Sequence, residues 1–172
     1  MASSEVPRML AEGFTWPVRV YYEDTDTGGV VYYANYLKFF ERARTEWLRH
    51  AGLSQQLMTE QENVMFVVKN AAIDYHAPAK LDDRIEITVK LQKLGRASVN
   101  FAQAVWRISN RQPELLCSGQ IRVGCIDAES LRPAAIPVAI LEKIKRLYAS
   151  KNQAADCPDP LPIDSLSDPL AP

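Results

Sequence analysis

A short acidic segment carries the residue types that chemistry most often uses. This acidic turn, DTDTGG at residues 24–29, lies between a predicted strand and a predicted helix. A carboxylate can act as a nucleophile or as a general base. The unpaired N–H groups at the start of a helix can stabilise a developing oxyanion. One interpretation of the acidic turn is therefore an active site. Asp26 would be its working group, because Asp24 still follows the alternation of the preceding strand.

Two other interpretations of the acidic turn compete with an active site. Aspartate, threonine and glycine favour turns, and acidic residues suit the positive end of a helix, so the segment could be purely structural. A calcium loop would need an oxygen ligand at its fifth position and a bidentate glutamate at its twelfth. Gly28 and Asn35 occupy these positions, which argues against calcium. The residues alone leave the plain turn and the active site equally supported.

The elements on either side would fix the position of the acidic turn. Alternation of apolar and polar residues over 18–23 predicts a half-buried strand. Helical spacing of apolar residues from about 31 to 51 predicts a long helix whose apolar face covers nearly half of its circumference. Gly52 is expected to end this helix, and Ser54 to cap a short second helix that continues to about Glu62.

The remainder of the chain consists mostly of strands. A long β-rich run predicts a strand at about 64–75, and alternation predicts strands at about 85–92, 97–108 and 117–125. A closing helix is predicted at about 137–148. Strands that cluster after a helix indicate an α+β fold with an antiparallel sheet, not alternating βαβ units. One face of the sheet would cover the long helix. The other face needs a cover for which the closing helix is too small, so self-association is expected.

Length and composition place the chain among globular proteins. It has 172 residues and a formal net charge of −1, which gives no electrostatic reason to expect nucleic acid as a partner. No stretch approaches the roughly 18 apolar residues needed for a transmembrane helix, and the N-terminal segment lacks the pattern of a signal peptide. The three cysteines form no CxxC pair and fit poorly with a disulfide framework, so a cytoplasmic location is expected.

Three segments are expected along the chain. Residues 1–16 are expected to be flexible, and residues 17–149 to form one domain. Residues 150–172 are expected to be disordered, because this stretch of proline, aspartate and serine cannot bury enough apolar surface to offset its chain entropy. Within the domain, Cys117 and Cys125 share one face of the last predicted strand, which indicates two buried core residues.

Two segments carry a resemblance to a known family. They are YYEDTDTGGVVYYANYLKFFERARTEWLR and DYHAPAKLDDRIEI, and the likeness continues to about Ile140. The chain resembles the hotdog-fold 4-hydroxybenzoyl-CoA thioesterase family, in particular its YbgC-type acyl-CoA thioesterases, which are associated with the Tol-Pal system. The resemblance implies a long central helix wrapped by a five-stranded antiparallel sheet. It also implies a homodimer or homotetramer, which would supply the missing cover.

The resemblance assigns roles around the acidic turn. The family's aspartate corresponds to Asp26, as nucleophile or as general base for water, and these two roles stay open. The backbone N–H near Tyr33 would be the oxyanion donor. Many YbgC-type members carry histidine where this chain has Tyr33, so the role implied for this position is that of its backbone. No metal and no redox cofactor are implied, and coenzyme A enters only as part of the substrate.

Substrate-binding residues are expected in two places. Those beside the acidic turn are Gly29, Val30, Asn35 and Tyr36. Tyr36 also suits core packing. Lys93 and Arg96 flank a predicted hairpin turn where related enzymes meet the nucleotide phosphates, and a solvated hairpin is the alternative. On the long helix, Glu41 and Arg44 are three residues apart and are predicted to form an ion pair.

Three functions remain at this point. The leading one is hydrolysis of an acyl- or aroyl-CoA thioester to the free acid and coenzyme A. A hotdog dehydratase or isomerase would need a histidine with a carboxylate, and no histidine lies in the acidic turn or at the start of the helix. The alternative to an enzyme is a non-catalytic scaffold that binds acyl carriers in a Tol-Pal or lipid-metabolism context. The identity and length of the acyl group stay open.

Overall fold

The described residues form five strands and three α-helices. The computed structural model describes residues 13–109 and 112–152. In chain order the elements are β1 (Phe14–Arg19), α1 (Asn35–His50), α2 (Gln55–Glu62), β2 (Val64–Tyr75), β3 (Arg84–Leu94), β4 (Ser98–Arg107), β5 (Glu114–Asp127) and α3 (Val138–Asn152). A 3₁₀ turn at Tyr22–Asp24 follows β1. None of the helices in these ranges is long and apolar enough to cross a bilayer.

Both ends of the folded domain extend past their predicted boundaries. Residues 14–16 were expected to be flexible, but they belong to β1, which pairs with β3 over its whole length. The last helix continues to Asn152. No glycine or proline interrupts the chain before Pro158, so no local signal ends this helix at residue 149. The rest of the expected lead-in and tail lies outside the described residues.

The strands form one antiparallel sheet in the order β1-β3-β4-β5-β2. All four neighbouring pairs are antiparallel, which confirms the predicted α+β class. The sheet has two opposite ends, which we name by the loops that lie there. The acidic end is where β2 finishes and β3 begins, and the hairpin end is where β3 turns into β4. β2 lies at one edge, with a register shift between Val68 and Asn70.

The long helix α1 packs on the inner face of the sheet, as the wide apolar arc predicted. The buried apolar residues of α1 are Tyr36, Phe39, Phe40, Ala43, Trp47 and Leu48. Gly119 of β5 lies directly beneath them. A Cβ atom added there would be 2.7 Å from Ile73 Cδ1 and 2.9 Å from Phe40 Cε2. The glycine therefore allows the helix to approach the sheet closely.

The start of α1 differs from its prediction. The helix begins at Asn35, whereas the apolar spacing predicted a start near Val31. Val31 instead forms an isolated β-bridge with Thr25, and the N–H of Tyr32 donates to the carbonyl of Asp24 at 2.9 Å. These extended pairings hold residues 31–32 in a conformation that a helix cannot share. Apolar spacing cannot detect them, since it is the same for both conformations.

The end of α1 agrees with its prediction. Gly52 has a φ of +73°, a left-handed conformation that favours glycine. Its N–H donates to the carbonyl of Arg49 at 2.9 Å, and the N–H of Leu53 donates to the carbonyl of Leu48 at 3.0 Å. This pair of hydrogen bonds satisfies the last carbonyls of the helix. Ser54 precedes α2 as predicted, but its side chain makes no capping hydrogen bond.

The prediction of two core cysteines is confirmed. Cys117 and Cys125 are buried, with 0% and 1% of their surface exposed. Burial raises the pKa of the Cys117 thiol to about 12, so the thiolate is strongly disfavoured there. Both residues therefore behave as small apolar groups of the core. Cys157 lies outside the described residues.

Candidate active site

The acidic turn folds into a tight hairpin. The N–H of Asp26 donates to the carbonyl of Val30 at 2.9 Å, and Tyr32 pairs in the same way with Asp24. Gly29 closes the loop with a φ of +75°, and its N–H donates to the carbonyl of Asp26 at 3.0 Å. The hairpin is anchored at the acidic end of the sheet, where Val30 forms a β-bridge to Lys80. The carboxylate of Asp26 is therefore held on a short, well-defined loop.

Asp26 presents a carboxylate that is half bonded and half free. Its side chain is exposed. Oδ1 accepts a hydrogen bond from the N–H of Gly28 at 2.8 Å. Within the described part of the chain, no group donates a hydrogen bond to Oδ2. One oxygen thus fixes the orientation of the carboxylate, and the other is available to a substrate or to water.

Asp24 has the opposite surroundings. It is only 5% exposed. Its Oδ2 accepts from the N–H of Tyr21 at 2.9 Å, and the Asn35 side-chain amide donates to its backbone carbonyl at 3.0 Å. Buried carboxylates persist where hydrogen bonds replace their lost water. The predicted supporting role of Asp24 is consistent with this burial and bonding.

The peptides just before α1 have unused donors. Tyr33 and Ala34 lie in the turn that leads into the helix. Among residues 13–109 and 112–152, no acceptor receives a hydrogen bond from the backbone N–H of either residue. The neighbouring N–H of Asn35, in contrast, donates to the carbonyl of Tyr32 at 2.8 Å. These two N–H groups precede the helix instead of belonging to its first turn, and both remain available to an anionic oxygen.

A cluster of tyrosines surrounds these free N–H groups. Tyr33 is 62% exposed, and its ring lies 4.7 Å from that of Tyr32 and 6.5 Å, edge-on, from that of Tyr75. The hydroxyl of Tyr75 donates to the carbonyl of Tyr33 at 2.9 Å. Sequence reasoning missed Tyr75. The only signal was that it ends a predicted strand on the same face as Ile73, towards the helix.

Two residues expected to line the pocket are buried instead. Tyr36 is 3% exposed, and its hydroxyl accepts a hydrogen bond from the N–H of Ala79 at 3.0 Å. Burial also raises the pKa of this hydroxyl. Asn35 is 7% exposed and is bonded to Asp24. Within the described residues, both side chains therefore have little surface available to a ligand.

The structure separates the two predicted groups of site residues. Gly29 and Val30 lie beside Asp26 in the hairpin, close to Tyr33 along the chain. Lys93 and Arg96 are exposed at the hairpin end of the sheet. The acidic and hairpin ends are separated by the length of β3, which at about 3.4 Å per residue is roughly 35 Å. Within one chain, the predicted phosphate-binding pair is not brought to Asp26.

The predicted ion pair between Glu41 and Arg44 is wrong. The hydroxyl of Thr45 donates to Glu41 Oε1 at 2.7 Å, and Arg44 Nη1 donates to Gln103 Oε1 at 2.7 Å. Gln103 is 3% exposed and also donates to the carbonyl of Phe40 at 3.1 Å. Burial lowers the pKa of Arg44, and the neutral amide of Gln103 is a longer-range partner that sequence spacing does not reveal.

A cleft lies next to Arg44 and opens between α1 and the hairpin half of the sheet. Its volume is about 100 Å³, and its walls include the side chains of Leu48, Phe66, Val68 and Phe101. This cleft is apolar on most sides. It lies away from Asp26 in a single chain, because its sheet residues belong to the hairpin end.

No group of three or more His, Cys, Asp or Glu side chains in the described ranges is placed to hold a metal ion.

Comparison with known proteins identifies the family. A model of the thioesterase-like superfamily matches residues 20–144. The acyl-CoA thioester hydrolase YbgC of Escherichia coli O6:H1 is 47% identical over 133 residues, 77% of this chain and 96% of that protein. The acyl-CoA thioesterase YbgC of Haemophilus influenzae is 46% identical over 129 residues, 75% of this chain and 92% of that protein.

A solved structure gives the same result for the fold. The 1,4-dihydroxy-2-naphthoyl-CoA thioesterase Slr0204 from Synechocystis superposes with a TM-score of 0.66 at 25% identity, over 84% of this chain and 98% of that chain. The resemblance found in the sequence is thereby confirmed, as is the hotdog fold that it implied. The chain belongs to the thioesterase-like superfamily and is a hotdog-fold thioesterase of the YbgC type.

Proposed function

We propose that this thioesterase hydrolyses acyl-CoA thioesters at the acidic turn, with Asp26 as its working carboxylate. The observation that carries the proposal is the free Oδ2 of Asp26 on a hairpin that leads directly to two unpaired N–H groups, at Tyr33 and Ala34. A thioester carbonyl needs an attacking oxygen and a donor for its oxyanion, and these groups supply both. The names of the relatives, as acyl-CoA thioester hydrolases, support the substrate class.

The reaction can follow two routes from this geometry. As a general base, Asp26 takes a proton from water while the water oxygen bonds to the thioester carbon. As a nucleophile, Asp26 bonds to that carbon itself and forms a mixed anhydride, which water then hydrolyses. In both routes the C–S bond breaks, the coenzyme A sulfur takes a proton, and the free acid leaves. A single turnover in ¹⁸O-labelled water tests the nucleophilic route, because label enters the Asp26 carboxyl only when water attacks the Asp26 carbon of the mixed anhydride.

The free N–H groups stabilise the charge that forms on the carbonyl oxygen. Removing one donor of this kind typically lowers kcat by about 10² to 10³. The backbone supplies these donors, so the side chain at Tyr33 need not be histidine.

The two unpaired core cysteines fit a reducing compartment, which supports a cytoplasmic location for the reaction. No part of this mechanism requires a metal or a redox cofactor, and coenzyme A takes part only as the leaving group.

A homodimer formed through β2 would bring the separated residues into one site. β2 lies at the sheet edge, and Val68 in its middle is 53% exposed. A long unpaired edge strand is a template for a second copy. Antiparallel pairing of two β2 strands puts the acidic end of one sheet beside the hairpin end of the other. Lys93 of the partner subunit and Arg96 of the partner subunit then share an end of the joined sheet with Asp26. A homotetramer built from two such dimers remains the alternative.

The test of the proposed function is the substitution Asp26→Asn. It keeps the shape of the side chain and removes its basicity, so we expect kcat to fall by about 10² to 10⁴. Free-thiol release is measured on short aliphatic, long-chain and aromatic acyl-CoAs, which also identifies the acyl group. Glu23→Gln is the matched control, because Glu23 is an exposed acid beside the same turn.

The same experiment separates the competing interpretations. Unchanged turnover in Asp26→Asn would remove Asp26 from the mechanism. If the wild-type protein binds acyl-CoA but releases no thiol from any member of the panel, the non-catalytic acyl-carrier scaffold is favoured. Circular dichroism and sedimentation of each variant show whether a lost activity reflects lost structure.

A further inference from the structure

We propose that Tyr75 is a positioning residue for one of the two oxyanion donors, the N–H of Ala34. Its hydroxyl holds and polarises the peptide between Tyr33 and Ala34, whose N–H would bind the carbonyl oxygen of the substrate. The inference rests on the proposed thioesterase site and adds a residue that lies 42 positions further along the chain. The inference explains what fixes the orientation of the Ala34 N–H, because a free N–H group does not fix its own direction.

The central contact is the hydrogen bond from Tyr75 Oη to the carbonyl oxygen of Tyr33 at 2.9 Å. The carbonyl of Tyr33 and the N–H of Ala34 belong to the same peptide unit. A peptide unit is planar, with its C=O and N–H pointing in opposite directions. Fixing the carbonyl oxygen therefore also fixes the direction of the Ala34 N–H. That N–H has no acceptor among the described residues.

The surrounding turn explains why this peptide needs an external partner. In a regular helix, the carbonyl of Tyr33 would accept a hydrogen bond from the N–H of Leu37. Here the N–H of Leu37 donates to the carbonyl of Ala34 at 3.2 Å instead. The carbonyl of Tyr33 has thus lost its helical donor, and Tyr75 takes that place. A side chain at the end of β2 replaces a backbone bond at the start of α1.

Tyr75 is itself held by aromatic packing. Its ring meets the ring of Tyr33 at 87° and the ring of buried Tyr36 at 71°, with centroids 6.5 and 5.5 Å apart. Such edge-to-face arrangements are favoured by the charge distribution of aromatic rings. The side chain is 49% exposed, and the part that is buried raises the pKa of its hydroxyl. The packing of the Tyr75 ring fixes the position of its hydroxyl, and the hydroxyl fixes the orientation of the Tyr33–Ala34 peptide.

The hydrogen bond has an electronic effect as well as a geometric one. A donor on the carbonyl polarises the peptide and strengthens the bond that its N–H makes, by about 10 to 30% in chains of hydrogen bonds. An oxyanion donor is worth about 10² to 10³ in kcat. Losing about 10 to 30% of the free energy of that hydrogen bond therefore lowers kcat about two- to eightfold. The loss belongs to the transition state, because the full negative charge exists only there. KM is expected to stay close to its wild-type value.

The first test is Tyr75→Phe, which keeps the ring and removes the hydroxyl. We expect kcat to fall about two- to eightfold with KM unchanged. Tyr22→Phe is the matched control, because Tyr22 is 82% exposed and its hydroxyl has no partner among the described residues. A wild-type kcat in Tyr75→Phe would overturn the inference. A fall in kcat/KM carried entirely by KM would overturn it too, because it would indicate a substrate contact.

The second test reads carbonyl polarisation directly. Acyl-CoA labelled with ¹³C at the thioester carbonyl is bound to Asp26→Asn and to Asp26→Asn/Tyr75→Phe, and the C=O stretch is recorded by difference infrared spectroscopy. We expect the stretch to move to higher wavenumber when the Tyr75 hydroxyl is absent. An identical frequency in both proteins would overturn the inference. A merely structural role would change the melting temperature without moving this band.

A third measurement covers the case in which Tyr75→Phe does not fold. Replacing Tyr75 by 3-fluorotyrosine keeps the hydroxyl, makes it a stronger donor, and is expected to move the C=O stretch to lower wavenumber. A band that stays in place would count against Tyr75. Failure of the inference is distinct from failure of the proposed function, because thiol release by wild type and its loss in Asp26→Asn do not depend on Tyr75.

Discussion

Two carboxylates that are two residues apart meet opposite environments in the acidic turn. Asp24 is 5% exposed and has its oxygens bonded to Tyr21 and Asn35, whereas Asp26 is exposed and keeps Oδ2 free. A buried carboxylate without hydrogen bonds would be costly, so the bonds to Asp24 are a condition of its burial. The exposed carboxylate has no such constraint and can change partners during a reaction. The proposed division of roles between the two acids thus follows from the difference in their solvation.

The support of Asp24 can be tested at Asn35. We expect Asn35→Ala to lower the free energy of unfolding by about 1 to 3 kcal/mol, since it leaves the buried groups of Asp24 without their donor. For a domain of this size, the melting temperature falls by about 2 to 4 °C per kcal/mol. Asn100→Ala is the control, because the Asn100 side chain makes no hydrogen bond within the described residues. Equal melting temperatures of the two variants would contradict the supporting role.

Sequence reasoning reached some site residues and not others, depending on how far their partners are along the chain. The pairing of Asp26 with a turn at the start of a helix is local, and the motif around it was specific. Tyr75 and Tyr33 are 42 residues apart, and Arg44 and Gln103 are 59 apart. Neither contact follows from spacing on one element, because each depends on which strand lies beside α1. The ion pair assigned to Arg44 was wrong for this reason.

At the scale of elements, the apolar arc of α1 was a reliable guide and its first turn was not. The arc reflects the burial of one helix face, which repeats every few residues and is therefore visible in the sequence. The start of the helix depends on single hydrogen bonds, such as that between Tyr32 and Asp24 at 2.9 Å. The later strands were located because their residues alternate or are rich in β-formers. The first strand was predicted at 18–23, four residues too far along the chain, because β1 is Phe14–Arg19 and residues 22–24 form a 3₁₀ turn.

The close approach of α1 to the sheet can be measured at Gly119. Gly119→Ala puts a methyl group 2.7 Å from Ile73 Cδ1 and 2.9 Å from Phe40 Cε2. We expect it to destabilise the protein by about 1 to 3 kcal/mol through overpacking. Ile73→Val alone removes Cδ1 and costs about 0.5 to 1.5 kcal/mol. The double variant should be more stable than the sum of the two changes predicts, as determined by denaturant unfolding. Strict additivity would show that Ile73 does not limit the helix-to-sheet distance.

At the scale of the whole molecule, the groups proposed to bind phosphate and the groups proposed to react lie at opposite ends of one chain. The free carboxylate and the free N–H groups are at the acidic end, while exposed Lys93 and Arg96 are at the hairpin end. A coenzyme A thioester has its phosphates well separated from its reacting carbon, so some separation suits the substrate. In one chain, however, the two groups are separated by the whole length of β3, roughly 35 Å at about 3.4 Å per residue. The proposed dimer, with its two-fold axis through β2, would bring the two groups to the same end of a joined sheet.

That arrangement predicts that a charge on the β2 edge will disrupt both assembly and phosphate recognition. Ala71 is exposed on this edge, and in Ala71→Lys each copy would bring a positive charge into the proposed pairing of the two β2 strands. We expect sedimentation to give the mass of one chain. We also expect KM for acyl-CoA to rise about tenfold or more, because charged hydrogen bonds to the phosphates are lost. An N-acetylcysteamine thioester, which lacks the nucleotide, should show a smaller rise. Ala149→Lys on the exposed side of α3 is the control. If Ala71→Lys keeps both its assembly and its KM, the interface does not include β2. Two lysines buried in a β2 interface would weaken the assembly measurably.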